Sequence, residues 1–384
     1  MIYFEITLKQ VHLFKLISFL ILELVMLMRL VLHLCALLFV PDVHATPAEP
    51  AAAVELGPNL TKLHTIAADS AAHLRDPSSP IFDPYDGLWH FFCTRVPLDA
   101  PGAPSGYPGK VVHFFAPTLD TPSWNTSGVV VDTGAAGSFD AFGVFTPNAF
   151  MEVPTPPSSE NRTWWMSFSG VPDGSAAHND SLGLASAPSA FGPWTKQLDG
   201  APVFPWDGGR SWCGETSAPA RVDEAVPLVV QGRRAVVVKA VCENFTALPM
   251  LYEPADPAGW APPYLLASPL PLVPAAGTGK LKGFEQARVY PGPDEKLHMT
   301  GHDHGDARIP HYVSTDGSLN SWKFVGYLNH FSQDFPGGAG EATPVWPTLA
   351  VPGDDLSQGA PVFFLTFGGN PLEIILMNAT WERG

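Results

Sequence analysis

The chain has 384 residues, 46% of them hydrophobic and 15% charged, which supports a sizeable core and excludes an intrinsically disordered protein. A formal charge of −16 excludes a nucleic-acid binder, because the partner's phosphates would be repelled, and suits a neutral or polar ligand such as a sugar. Forty-one prolines and 35 glycines argue against a helical protein, since both residues break helices.

From Leu13 to Val40 the chain is almost continuously apolar, interrupted by Lys15, Glu23, Arg29 and His33. Met28-Arg29, the run "LVLHLCALLFV" and the small residues Val43 and Ala45 have the form of a secretory signal cleaved after Ala45. The same stretch is long enough to serve as an uncleaved signal anchor. Residues 1–45 are therefore read as a signal peptide or anchor, and with cleavage no stable membrane insertion is expected. Either reading puts the body on the secretory side, and a secreted protein is expected. Six of the ten asparagines (Asn59, Asn125, Asn161, Asn179, Asn244 and Asn378) stand in glycosylation sequons, which agrees. Cysteine is sparse: Cys213 and Cys242 could pair in an oxidising compartment, and Cys93 reads as a small buried hydrophobe.

Residues 46–60 read as a Pro/Ala-rich linker, and 61–384 as one domain of short strands. "LWHFFCTR", "KVVHFFA", "TWWMSFSG", "LGLASA", "AVVVKAVC", "PMLYE", "KLHMTGH", "PHYVST", "KFVGYL" and "VFFLTFG" are rich in β-branched and aromatic residues and bounded by Gly, Pro, Asp and Ser. No window after residue 60 shows a capped helical stripe. The chain is all-β. A long repeat runs through it, each unit opening near an acid: Asp76, Asp140, Glu215, Glu285 and Glu341, spaced 64, 75, 70 and 56 residues apart. Four strands and their turns fit such an interval, so the expected fold is a five-bladed β-propeller, with two successive β domains as the rival arrangement. The first strand of each blade would line a central channel and bring the acids to one mouth.

A ring of carboxylates suits glycoside hydrolysis, which needs one ionised and one protonated carboxyl on opposite sides of the bond. Arg75 beside Asp76 favours the ionised form that a base requires. Glu285, flanked by Phe284, is placed for the desolvation that an acid requires. The first two units then carry a resemblance. "LRDPSSPIFDPYDGLWHFFCTR", "SFDAFGVFTPNAF" and "SLGLASAPSAFGPWTK" resemble segments of the five-bladed propeller glycoside hydrolases, namely the arabinanase and β-xylosidase group of family 43 and the neoagarooligosaccharide hydrolases of family 117. The resemblance implies a first-blade aspartate as base, matched by Asp76, and a fourth-blade glutamate as acid, matched by Glu285. A third acid that tunes the second is also implied. Aligning "APARV" with "EQARV" puts Ala218 there, so the nearby Glu215 takes the role, with Asp140 of the second unit as the other candidate.

Arg75, Asp140, Trp212, His302 and His304 are the expected sugar-binding residues. Other readings of these positions stay open. Asp76 before Pro77 also suits a turn aspartate, Asp140 suits a loop cap, and Glu215 a solvated loop acid. His302 and His304 in "TGHDHG" suit turn residues or ligands of a channel cation. Trp89, Trp164 and Trp165 fit blade cores, whereas Trp212 beside Glu215 fits a sugar platform. No cofactor or catalytic metal is expected beyond such a structural cation, and the partner is an oligo- or polysaccharide. The rival functions are a carbohydrate-binding propeller without catalysis and a transferase or phosphorylase on the same fold, which would need more cations at the mouth than Arg75, Arg210, Arg221 and Arg288.

Overall fold

The computed structural model describes residues 56–100, 108–152, 162–174, 180–204, 221–230, 233–241, 247–269, 284–292, 294–303, 310–319, 321–327, 348–350, 363–368 and 373–383. Strand β1 (Leu56–Ala67) begins inside the segment read as linker. Blade 1 follows with β2 (Ala72–Arg75), β3 (Ile81–Asp83), β4 (Leu88–Pro97), β5 (Lys110–Ala116) and β6 (Asn125–Val131), where β2 and β3 both pair with β4 as one interrupted strand. Blade 2 holds β7 (Gly143–Glu152), β8 (Thr163–Val171), β9 (Ser181–Ala187) and β10 (Thr195–Lys196). Blade 3 holds β11 (Arg221–Val230), β12 (Arg233–Val241), β13 (Ala247–Pro254) and β14 (Tyr264–Pro269). Blade 4 holds β15 (Phe284–Pro291), β16 (Leu297–Asp303), β17 (Pro310–Ser314) and β18 (Trp322–Tyr327). Blade 5 holds β19 (Thr348–Ala350), β20 (Phe363–Gly368) and β21 (Glu373–Arg383), and β1 returns to pair antiparallel with β21 as its outer strand.

These are five antiparallel sheets arranged as a ring. β4 and β5 pack on β7, β7 to β9 on β11, β11 to β13 on β15, β15 on β19, and β20 and β21 on β2. Each blade packs against the first strand of the next, so β2, β7, β11, β15 and β19 are innermost. The fold is a five-bladed β-propeller, closed by joining the first strand to the last sheet. Closure ties the start of the chain to its last sheet, while each blade keeps an inner and an outer edge strand.

Each blade is covered on both faces, so its strands carry continuous apolar runs rather than an alternation with polar residues. In β4, Phe91 and Cys93 enter a cluster with Ile66, Leu74, Phe114, Trp124, Ile374 and Leu376, shared by blades 5 and 1. Phe92 between them points the other way, into a cluster with Val144, Met151, Trp164 and Met166 of blade 2. Similar clusters lie between blades 2 and 3, around Tyr252 and Trp260, and between blades 3 and 4, around Tyr312 and Trp322. Cys93 is the buried hydrophobe expected, its thiol pKa pushed up by burial and by nearby Asp76. Cys35, Cys213 and Cys242 lie outside the described residues. Trp164 is fully buried, and Trp165 is partly buried with its Nε1 donating to Glu152 Oε2 at 3.0 Å. Among the described residues no helix is long and apolar enough to cross a membrane.

Candidate active site

The inner strands share a local irregularity. Register is lost between Phe145 and Asn148 in β7, between Asp223 and Ala225 in β11, and between Glu285 and Arg288 in β15, each time opposite the second strand of the blade. In blade 1 the ladder stops at Arg75 and resumes through Ser78, whose N–H donates to Phe92 O at 2.7 Å. The paired residues just before the interruption are Arg75 with Thr94, Phe145 with Ser169, Asp223 with Lys239, and Glu285 with His302. Equivalent positions therefore run Asp76-Pro77, Thr146-Pro147, Glu224-Ala225 and Gln286-Ala287.

Three of these bulge residues have left-handed backbone: Asp76 at φ 51°, Thr146 at φ 47° and Glu224 at φ 53°. A non-glycine residue held there costs about 1–3 kcal/mol, and such strain concentrates at functional sites, where bulges re-aim side chains. All three are buried, Asp76 at 2% exposure and Glu224 at 4%. Hydroxyls on the preceding blade hold the conformation. Thr146 N donates to Thr94 Oγ1 at 3.0 Å, and Glu224 N donates to Ser169 Oγ at 3.2 Å. Ser169 Oγ also lies 2.6 Å from Thr146 Oγ1, and Ser167 Oγ donates to Ala225 O at 2.6 Å. Second-strand hydroxyls thus latch the inner bulges of blades 2 and 3 to the blade before them.

Charge collects on the same strands. Arg75 Nε is 2.8 Å from Asp76 Oδ2. Arg288 of β15, 3% exposed, donates through Nη2 to Asn148 Oδ1 of β7 at 2.6 Å. Blades 2 and 4 are separated by blade 3, so this bond crosses in front of β11, where the inner strands converge. Burial lowers the Arg288 pKa to about 10 against the pull of Glu224, which still leaves it charged at neutral pH. Lys239 of β12 is buried at the position that Thr94 and Ser169 take in their blades.

Blades 1 and 4 also contain matching histidine relays. His90 Nε2 lies 3.2 Å from Asp86 Oδ1, His90 Nδ1 lies 3.0 Å from His113 Nε2, and His113 Nδ1 lies 2.8 Å from Ser127 Oγ. In blade 4, His298 Nε2 lies 2.8 Å from Asp294 Oδ1 and His298 Nδ1 lies 2.8 Å from His311 Nε2. Neutral rings satisfy the first relay in one direction, with Ser127 donating to His113, His113 to His90, and His90 to Asp86. Burial, together with the neighbouring histidine, lowers the pKa of His113 and of His311 to about 3.

Asp83, Asp86 and His90 bring three ligand atoms within 4.8 Å of one another, a donor set that could take a divalent cation. However, Arg162 Nη2 stands 3.1 Å from Asp83 Oδ2, an ion pair without hydrogen-bond geometry, and already supplies positive charge there. Blade 4 builds the same Asp–His–His relay, so the group reads as a turn-to-strand staple.

No protein-family model and no curated protein matches the chain. Solved structures do. A family 117 glycoside hydrolase from the marine bacterium Zobellia galactanivorans matches with a TM-score of 0.58 at 16% identity, over 84% of this chain and 90% of that one. The likeness is one of fold. An endo-arabinase from Bacteroides thetaiotaomicron matches at 0.54 and 13% identity, over 84% and 99% of the two chains. An α-L-arabinofuranosidase from Podospora anserina matches at 0.51 and 13%, over 85% and 98%. The hydrolase groups that the sequence resembles thus share this architecture along almost their whole length.

Of the residues expected from sequence, Asp76 and Arg75 stand together on the inner strand of blade 1. Glu285 and His302 are cross-strand partners in blade 4, and their side chains lie outside the described residues. Glu215, Trp212 and His304 lie wholly outside them. Asp140 is placed apart from the bulges. It sits in the loop before β7, where Oδ1 accepts from Ser138 Oγ at 2.7 Å and Oδ2 is ion-paired with Lys196 of the outer strand β10. Lys196 Nζ also donates to Asp132 O at 2.6 Å, so Asp140 fastens the blade 1 to blade 2 crossing. Aligning the units on their first acid passes over Glu224 and Lys239, and Arg288 enters only as a cation at the mouth. Strand register, not a shared motif, sets Glu224-Ala225 opposite Asp76-Pro77 and Thr146-Pro147.

Proposed function

We propose that the protein is a glycoside hydrolase acting on an oligo- or polysaccharide, with Asp76 as the base, Glu285 as the acid and Glu224 in place of Glu215 as the third carboxylate. The observation that carries this reading is Asp76 itself. It is a buried carboxylate in a strained bulge on the innermost strand, ion-paired with Arg75, in a fold shared with glycosidases. Glu224 holds the equivalent position two blades on, and Glu285 precedes the equivalent position in blade 4. We propose inversion of configuration, which asks for roughly 6.5–9.5 Å between base and acid so that a water fits. Secretion and N-glycosylation belong to the same reading, supported by the apolar leader and by the exposed sequon residue Asn125 at the start of β6.

The test is a screen of the purified protein against aryl glycosides and marine and plant polysaccharides. Asp76→Asn should abolish turnover and leave the circular dichroism unchanged; hydrolysis retained in that variant overturns the assignment. One observation favours a second reading, a carbohydrate-binding propeller without catalysis: blade 4 carries the amide Gln286 where blade 1 carries Asp76. That reading requires glycan binding with no sugar released by the unmodified protein.

A further inference from the structure

Arg288 is the least satisfied charged group among the described residues. It is 3% exposed, yet its Nε and Nη1 have no hydrogen-bond partner, and only Nη2 is engaged, by Asn148. Donors of a buried cation are costly to leave unpaired, so such an arrangement persists where a ligand completes it. The geometry of a guanidinium makes the unpaired donors specific. Nε and Nη2 form one parallel two-donor edge, and Nη1 and Nη2 form the other. Whichever Nη2 hydrogen Asn148 accepts, one complete edge remains, and a planar two-donor edge matches the paired oxygens of a carboxylate or sulfate.

The surroundings supply a second cation. Thr94 and Ser169 each point at the bulge of the next blade, as their bonds to Thr146 N and Glu224 N show. The equivalent position in blade 3 is Lys239, buried and carried on a strand that packs on β15, the strand of Arg288. An ammonium has no lone pair to accept an amide hydrogen, so at this junction the latch is replaced by positive charge. The chain as a whole carries a net charge of −16, so these two buried cations are not there for general attraction of polyanions.

We propose that Arg288, supported by Lys239 and oriented by Asn148, is the receptor for an anionic substituent of the sugar, a uronate carboxylate or a sulfate ester. This rests on the glycosidase reading for its ligand class but not on catalysis. Binding is measured on the Asp76→Asn protein, which holds ligand without turnover. Two matched probe pairs are used: an oligogalacturonide and its carboxyl-reduced counterpart, and a sulfated galactan oligosaccharide and its desulfated counterpart. One charged member should bind about tenfold or more tightly than its neutral match, as a charge-assisted pair of hydrogen bonds provides. The pair that discriminates identifies the anion. Arg288→Met should remove the preference, and Arg288→Lys should restore only part of it, because a point charge lacks the fork.

Equal binding of both members in both pairs overturns the proposal, as does a preference that survives Arg288→Met. If Arg288→Met does not fold, the comparison of matched probes on the Arg288 protein still decides, and Lys239→Met should narrow the preference. The two readings fail separately. Turnover of neutral aryl glycosides without any anion preference sinks the receptor alone, and an anion preference in a protein that hydrolyses nothing sinks the hydrolase alone.

Discussion

Acid should destabilise this propeller well above the pH at which its carboxylates titrate, because of His113 and His311. Both are buried and both have a pKa lowered from 6.5 to about 3, first by burial and then by the neighbouring His90 or His298. In the unfolded chain each returns to 6.5, so between pH 7 and pH 5 the unfolded state binds the proton and the folded state does not. The state that gains protons is favoured as pH falls, so stability is full above 6.5 and is lost on the way down toward 3. At pH 5 the unfolded form gains about 2 kcal/mol per histidine relative to pH 7, or about 4 kcal/mol for the pair. His90 and His73, also lowered mainly by burial, act in the same direction. Urea unfolding at pH 7 and pH 5 measures the loss as a drop in the midpoint. The double variant His113→Gln/His311→Gln keeps an amide in each relay and removes the titrating rings, so its midpoint should change far less between the two pH values. A double variant as pH-sensitive as the parent would refute the reasoning.

Two further outcomes follow from the staple at Asp140. Asp140→Ala leaves Lys196 without its carboxylate under the blade 1 to blade 2 crossing and should lower stability by about 2–4 kcal/mol in urea titrations, while activity per folded molecule stays near that of the parent. Gly170→Ala would put a Cβ 2.4 Å from the Phe139 ring and 2.7 Å from Asp140 Cβ, and should cost about 1–3 kcal/mol by overpacking. An unchanged unfolding midpoint in either variant would contradict the packing described for this loop.

Strand content and the five-fold repeat were legible because both are written locally. Runs such as "LWHFFCTR" and "TWWMSFSG" alternate between two covered faces, and turn residues divide them at blade-sized intervals. Less legible were the inner strands themselves. β11 and β15, "RVDEAVPLVV" and "FEQARVYP", set polar residues among apolar ones, because a bulge interrupts the apolar pattern where the function is expected. Asp76 was placed on an inner strand because Arg75 and Pro77 flank it in a recognisable run. Glu224 was not, since nothing next to it in the chain marks the bulge.

Asp140 shows the same limit from the other side. In sequence it opens a unit as Asp76 does, but its role is set by Lys196, 56 residues away. The chain by itself determined an all-β ring of five units and one acid at its inner wall, because strand propensity and turn chemistry act over a few residues. Tertiary structure alone decided which residue of each unit occupies the inner bulge, and that Arg288 reaches Asn148 across an intervening blade. Strand register and blade order set those positions, and both arise from pairing between segments far apart in the chain.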